Sequence, residues 1–584
     1  MKRPKTKDIL LLAWPLAVSA LMLTVIQPPF SLSFLALFAL VPFVLVCSPA
    51  AKPKPLALAA YMVSLIYWLA NLYWVFPVTI IGWAAYCLYQ ALLWPILALA
   101  LRYCRSKRIP LLLAVPVLFV GAERLQGFFL GGFFWRFLAH SQYQNIALIQ
   151  IADIFGAAGV SFLIAMINGF LAELVLAWRQ KTILTGRIFL KTAIVFSALI
   201  GTFLYGYWRI DQALGPASDE YIQQGPLVAS LQSNTPQSVK RTFDRSEDIF
   251  AQLLADSNEA AKAGARIIVW PETMVQAILN TDTWARLDPT GENQLFDEDK
   301  QFHRKLQEHA KDRGVYLLIG AYGGRLRQQA DRTPYLARYN SAFLYTPDGR
   351  QAPQSYDKIH LVPFGEAVPF RRKLPSLYNF LMKFTPYNYD YSLDYGTEFT
   401  VFEMPAPPER QDQTYRFSVM ICYEDTIPAI AREFALDARG QKRIDWLVNI
   451  SNDGWFVRFD GRKVLPSTEL AQHAAICVFR AVENRLAVVR SVNTGISCII
   501  DSSGRIRSGF VAGNLPGNAM ARKAVAGWFV DILPIDNRVS FFSRYGQWLD
   551  SCCAACLVLL IIAAAFEGFT ADRRRPIRSS RKSK

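Results

Sequence analysis

Apolar residues fall in two regimes along this chain. Through the first 210 positions they form long runs broken only briefly by polar residues. From about 215 to 540 they form short β-branched runs that alternate with amphipathic stretches. A last long run covers 551–569, and a basic tail follows. A bilayer core about 30 Å thick needs roughly 20 apolar residues per helix. By that measure the long runs predict eight spans, at 8–27, 30–49, 56–76, 80–102, 109–125, 157–177, 189–208 and 550–569. The fifth is short. The stretch 126–156 is semi-polar and aromatic (Phe128, Phe129, Phe133, Phe134, Trp135) and reads as an interfacial loop.

The middle of the chain reads differently. Strands are predicted at 226–232, 266–270, 315–321, 340–345, 416–422, 445–451, 486–492 and 495–500, and helices at 241–264, 299–313, 426–436 and 467–484. Turns such as Pro347-Asp348-Gly349 and Ser502-Ser503-Gly504 predict antiparallel pairs within the sheets. Such alternation makes a layered α/β domain. The expected division is seven transmembrane helices in 1–214, an α/β domain in 215–540, an eighth helix in 541–570 and a basic tail in 571–584.

Composition agrees with a membrane protein. Of 584 residues 52% are hydrophobic and 19% charged, against about 25% charged in a soluble domain. This excludes a disordered chain and a disulfide scaffold. The net charge of +17 comes largely from clusters at span ends: Lys2, Arg3, Lys5 and Lys7; Lys52 and Lys54; Arg102, Arg105, Lys107 and Arg108; Arg179, Lys181, Arg187 and Lys191; and the tail after Arg573. The loops after spans one and three carry no Lys or Arg, and the loop after span five carries only Arg136. That alternation predicts both termini in the cytoplasm and the α/β domain on the other side. Nucleic-acid binding would need basic residues gathered on a folded face; here they gather at membrane edges, so no nucleic-acid partner is expected.

Of nine cysteines, only Cys422, Cys477 and Cys498 lie in the α/β domain. Cys477 and Cys498 sit in apolar helix and strand patterns and read as core. Cys422 ends a strand, ahead of a helix beginning near Ile427-Pro428, and a helix N-terminus lowers a thiol pKa. A thiolate nucleophile needs a base and a group to hold the oxyanion. Glu272, after the strand ending in Trp270-Pro271, offers the first, and Lys358 the second. Each alone fits a bland role better: a turn carboxylate, a surface charge, a buried strand thiol. A Cys–His pair using His360 or His473 is the other nucleophilic arrangement these residues allow. No zinc pattern with paired CxxC or HExxH occurs, and no metal or organic cofactor is expected.

Together, Trp270-Pro271-Glu272, Tyr356-Asp357-Lys358 with His360 to Glu366, and Ile421-Cys422-Tyr423-Glu424 resemble the nitrilase superfamily, as do Asn449 to Phe456 and Arg480 to Arg485. With helices on both sides of that domain, nearly all of 1–570 is similar to the apolipoprotein N-acyltransferase family. The resemblance implies an α-β-β-α sandwich joined to an all-α transmembrane bundle of about eight helices. It implies Cys422 as nucleophile, Glu272 as general base and acid, and Lys358 as oxyanion stabiliser, with Glu366, Tyr423 and Glu424 supporting them. The implied reaction is ping-pong: a phospholipid donates an acyl chain to a Cys thioester, and the α-amino group of a diacylglyceryl-cysteine apolipoprotein accepts it. The implied location is the bacterial inner membrane, with catalysis on the periplasmic side. A membrane-tethered nitrilase-type amidase would share the thioester chemistry; a transport or scaffold protein would leave these residues idle. The aromatic stretch 374–395 reads either as an arm at the bilayer surface or as a packed insertion. Two departures from the family pattern are Arg241, where Trp is frequent, and a longer, charged segment from Val457 to Pro466.

Overall fold

The structure is a computed structural model. It describes residues 6–573 apart from 129–130, 217, 238–242, 290–293, 329–331, 369, 372–373, 384–390 and 407–412. Arg241, the tip of the 374–395 stretch and the tail from 574 therefore lie outside the described residues.

Among the described residues, six helices are long and apolar enough to cross a membrane: Thr6–Val25, Pro53–Asn71, Ile80–Ser106, Ala157–Arg179, Gly186–Leu214 and Trp548–Glu567. The other two expected spans take shorter forms. The stretch 30–49 is a 3-10 turn, Ser33–Leu37, followed by the helix Val41–Val46. Pro42 sits in the first turn of that helix, where its missing N–H is harmless, but its ring prevents one continuous helix from 33 onward. The stretch 109–125 is the helix Leu111–Gln126, of 16 residues, with Pro116 inside it. This helix packs against Ala157–Arg179 and against the last helix. A Cβ on Gly121 would stand 2.6 Å from the Cys553 carbonyl oxygen, so only glycine allows that approach; small residues do the same between membrane helices generally.

The described residues of the α/β part form two large sheets, besides a two-stranded hairpin. One runs in the order Ala512–Gly513, Gly527–Asp536, Ile222–Gln232, Ile267–Val269, Tyr316–Gln328, Pro334–Tyr345, Gln351–Asp357, and Val275–Ile278 also pairs with Tyr316–Gln328. The other runs Cys498–Ile500, Ala487–Val492, Trp446–Ser451, Thr414–Ile421, Phe402–Pro405. Each has a parallel centre with antiparallel edges. Alternation along the strands sorts the side chains. Val228, Ile267, Leu318 and Ala342 join the core shared with the second sheet, while Ala229, Ile268, Leu317 and Phe343 pack on the helices Phe243–Lys262 and Asp297–Arg313. The sheets touch through Ser491 Oγ, which donates to the carbonyls of Leu231 and Val269, each at 2.9 Å.

The outer helices of the second sheet are Pro428–Ala435 and Glu469–Asn484. All sixteen residues of the latter are buried, because its far side meets the helical bundle. Trp135 Nε1 donates to Gln472 at 2.8 Å, Glu483 accepts from the Ala157 amide at 2.9 Å, and Arg485 pairs with Asp153 at 2.6 Å. The architecture is an α-β-β-α sandwich with one helical layer pressed onto an all-α bundle. Predicted strands and helices of the middle region all occur, with shifted ends. In these sheets the strands Val275–Ile278, Gln351–Asp357, Phe402–Pro405, Ala512–Gly513 and Gly527–Asp536 are not among the predicted ones; the last pairs beside Ile222–Gln232 despite its distance along the chain.

Candidate active site

Three strand ends deliver the principal groups. Glu272 lies just past Ile267–Val269, against the neighbouring strand. A Cβ on Gly320 would stand 2.5 Å from the Pro271 carbonyl oxygen and 2.8 Å from Glu272 Cα, so glycine is needed for that close approach. Trp270 anchors this end from behind by donating to Ser257 at 2.8 Å. Lys358 follows Gln351–Asp357, its amide donating to the Asn340 carbonyl at 2.8 Å. Cys422 follows Thr414–Ile421 and opens the 3-10 turn Cys422–Thr426. Its φ of 53° is left-handed, which costs a side-chain-bearing residue roughly 1–2 kcal/mol. Asn449 Nδ2 helps hold the turn through the Cys422 carbonyl at 3.1 Å.

The charges meet around Lys358, whose side chain is fully buried rather than on the surface. Its ammonium is 2.7 Å from Glu366 Oε2 and 3.4 Å from Glu272 Oε1. Asn340 bridges the same pair, donating to Glu272 at 2.6 Å and to Glu366 at 2.8 Å. The Val362 amide adds a bond to Glu366 at 2.9 Å. Burial alone would lower the Lys358 pKa, but Glu366 and then Glu272 outweigh it and hold the ammonium charged. Burial pushes the Cys422 thiol up; Glu272 adds to the rise, and Lys358 and His473 oppose it. The lowered thiol pKa expected from the following helix is therefore not what the site provides: desolvation dominates. The thiol rests protonated, and an attack by sulfur requires a base.

Glu424 ties two of these strand ends together. One carboxylate oxygen accepts from the amides of Ile359 (2.7 Å) and His360 (3.0 Å), the other from the Ile421 amide (2.7 Å) and the Tyr356 hydroxyl (2.9 Å). Burial raises its pKa to about 7, against the pull of those donors and of Lys358. Tyr423 reaches the bundle, donating to the Gly132 carbonyl at 3.0 Å and stacking on Trp135 with ring centroids 6.5 Å apart. His360 also stacks on Tyr423, with ring centroids 6.0 Å apart, and burial and Lys358 lower its pKa.

His473 has both ring nitrogens beside carboxylates, Asp425 at 2.7 Å and Asp453 at 3.2 Å, so it does not face Cys422 as a free base. Cys477 and Cys498 are fully buried in the core, as their patterns predicted. Asn340 is not marked by any motif; a polar residue just ahead of the apolar run Ala342 to Tyr345 is the signal the sequence carries for it. Within 374–395, Leu377, Tyr378, Phe380 and Leu381 lie on the helix Pro375–Met382. The charged segment 457–466 forms a small exposed hairpin, Arg458–Phe459 with Val464–Leu465.

The sequence patterns of two known domains match the chain: the apolipoprotein N-acyltransferase N-terminal domain over 19–170, and carbon-nitrogen hydrolase over 227–512. The apolipoprotein N-acyltransferase of Geobacter metallireducens is 30% identical over 552 residues, covering 92% of each chain. The chain belongs to the apolipoprotein N-acyltransferase family. The apolipoprotein N-acyltransferase of Brucella melitensis is 28% identical over 97% of this chain and 98% of its own. Among solved structures, an amidase from Nesterenkonia is similar at a TM-score of 0.34 and 16% identity, over 54% of this chain and 92% of that one. The first match falls within the helical bundle and the second within the two-sheet sandwich.

Proposed function

We propose that this protein is a phospholipid-dependent apolipoprotein N-acyltransferase working through a Cys422 thioester. The observation that carries the reading is the buried Lys358 ammonium, fixed between Glu272 and Glu366 and within electrostatic reach of the Cys422 thiol.

In the first half-reaction Glu272 takes the thiol proton as sulfur attacks the sn-1 ester carbonyl of a phospholipid. The tetrahedral oxyanion is stabilised by Lys358. Collapse breaks the ester C–O bond, and Glu272 returns its proton to the departing lysophospholipid alkoxide. In the second half-reaction the α-amine of a diacylglyceryl-cysteine lipoprotein attacks the thioester carbonyl. Glu272 removes the amine proton, the C–S bond breaks, and the proton passes to the leaving sulfur. Splitting one difficult transfer into two moderate ones is the general benefit of a covalent nucleophile.

Glu366 and Asn340 position the Glu272–Lys358 pair. Glu424 holds the Lys358 loop and the Cys422 turn in one register, and Tyr423 lines the site on the bundle side. Both substrates are lipid-anchored and reach the site by lateral diffusion. We place residues 215–540 on the periplasmic side of the inner membrane, with both termini in the cytoplasm, from the distribution of Lys and Arg.

The test uses full-length protein in detergent and phospholipid labelled in its sn-1 chain. Label should join the protein as a hydroxylamine-labile adduct that is absent from Cys422→Ala. A diacylated lipopeptide should then carry the label away as an amide. Release only as free fatty acid would instead indicate hydrolysis, and a folded protein without adduct would overturn the proposed role of Cys422.

A further inference from the structure

The second sheet carries a cluster that acyl transfer does not use. Asp453 lies in the turn after Trp446–Ser451. Glu469 and His473 are one helical turn apart on Glu469–Asn484. Their ligand atoms all lie within 4.8 Å of one another. His473 Nδ1 is 3.2 Å from Asp453 Oδ1 and 3.3 Å from Glu469 Oε1. Three N/O atoms, each about 2.0–2.2 Å from one metal ion, are spaced about 3–3.5 Å apart.

The site is sealed, with all three residues no more than 2% exposed. Among the described residues, Glu469 Oε2 and Asp453 Oδ2 have no hydrogen-bond partner. Two buried carboxylate oxygens without donors are costly unless a cation faces them.

The surroundings suit such an ion. His473 Nε2 lies 2.7 Å from Asp425 Oδ1, and the other oxygen of Asp425 pairs with Arg490. A carboxylate on one imidazole nitrogen directs the other nitrogen's lone pair towards a metal. Ser451 Oγ steadies Asp453 Oδ1 at 2.7 Å. Without an ion Asp425 and Asp453 favour a charged His473 ring; an ion would take the place of that ring proton, with Arg490 offsetting Asp425 and with Asp453 and Glu469 offsetting the doubly charged ion.

We propose that Asp453, Glu469 and His473 bind a divalent cation of the Zn2+ or Mn2+ type. One imidazole and two carboxylates match that ligand preference. The ion would fasten the helix Glu469–Asn484 to the Asn452–Trp455 turn. Through Asp425 it would also brace the turn that carries Cys422. This site stands independently of the acyl-transfer reading.

The test uses full-length protein in detergent, stripped with chelator and then dialysed separately against Zn2+, Mn2+ and Co2+. About one ion per chain and a higher unfolding temperature are expected, and both should be lost again on adding chelator. Glu469→Gln should weaken binding about 100-fold. Cys422→Ala should bind unchanged, and the Co2+ form should show d–d bands without sulfur-to-metal charge transfer. No bound ion and no thermal shift with any of the three would overturn the site and leave a ring proton as the cluster's only bridge. Equal affinity in Glu469→Gln, or a sulfur charge-transfer band, would place the ion elsewhere. Where Glu469→Gln does not fold, the stoichiometry and cobalt spectrum of the unaltered protein decide.

Discussion

Two groups of buried charge flank the Cys422 turn, one from each sheet. In the first, Lys358 sits between Glu272 and Glu366, with Asn340 bonded to both carboxylates. In the second, Asp425, Asp453 and Glu469 surround His473, and Arg490 pairs with Asp425. The first is partly reachable: the Glu366 side chain is 17% exposed and Cys422 8%. The second is closed, none of its residues more than 2% exposed. Buried ionic groups are kept where they do chemistry or fix a conformation, since well-packed apolar residues would often be as stable. The difference in access agrees with the proposed chemistry at the first group and a structural part for the second.

That contrast is sharpest at its two cations. Lys358→Met leaves Glu272 and Glu366 facing each other with no ammonium between them. Acylation should fall about 1000-fold, and stability by about 3–5 kcal/mol; adduct formation and thermal unfolding read the two. Arg490→Met strands Asp425 in the closed group, with a similar loss of stability of about 3–5 kcal/mol. Acylation per folded molecule should change by less than about tenfold. A loss as deep as that of Lys358→Met would erase the distinction between the groups.

Glu424 offers an intermediate case, because it touches the loop of one group and the turn beside the other. Its carboxyl is raised by burial to about 7. As pH falls below that value it gains a proton and one oxygen stops accepting from the Lys358 loop or the Cys422 turn, without loss of fold stability, since the folded site favours the protonated carboxyl. Acylation should therefore decline on the acid side. Glu424→Gln should lower the plateau about tenfold and lose that acid limb, as a pH–rate profile would reveal. The smallest effect is expected at Cys477, on the fully buried helix. Cys477→Ala should cost about 1 kcal/mol by leaving a small void while leaving the amount of adduct unchanged.

The sandwich was legible because its strands and helices have distinct hydrophobic periods, and because Ile222–Gln232, Thr414–Ile421 and Trp446–Ser451 are each followed along the chain by an amphipathic helix. Glu272, Lys358, Glu366 and Cys422 were legible as motifs around strand ends. Asn340 was not, because its function arises when Pro334–Tyr345 pairs beside Gln351–Asp357 and brings it alongside the lysine. The charges of Glu469–Asn484 were equally opaque. A helix with Glu469, His473, Arg480 and Glu483 reads as solvated on one side, yet here every face is covered.

By itself the amino-acid order determined what depends on neighbours along the chain: which segments are apolar enough to cross a bilayer, which alternate as strands, and which strand ends carry a carboxylate, an amine or a thiol. Tertiary structure alone decided what depends on approach in space. Burial outweighed the helix N-terminus at Cys422, so the thiol rests protonated. Proline and close helix contacts shortened two of the expected spans. The docking of the second sheet's outer helix onto the bundle took its charges out of water. Desolvation is a property of everything packed around a group, and residues hundreds of positions apart supply that packing.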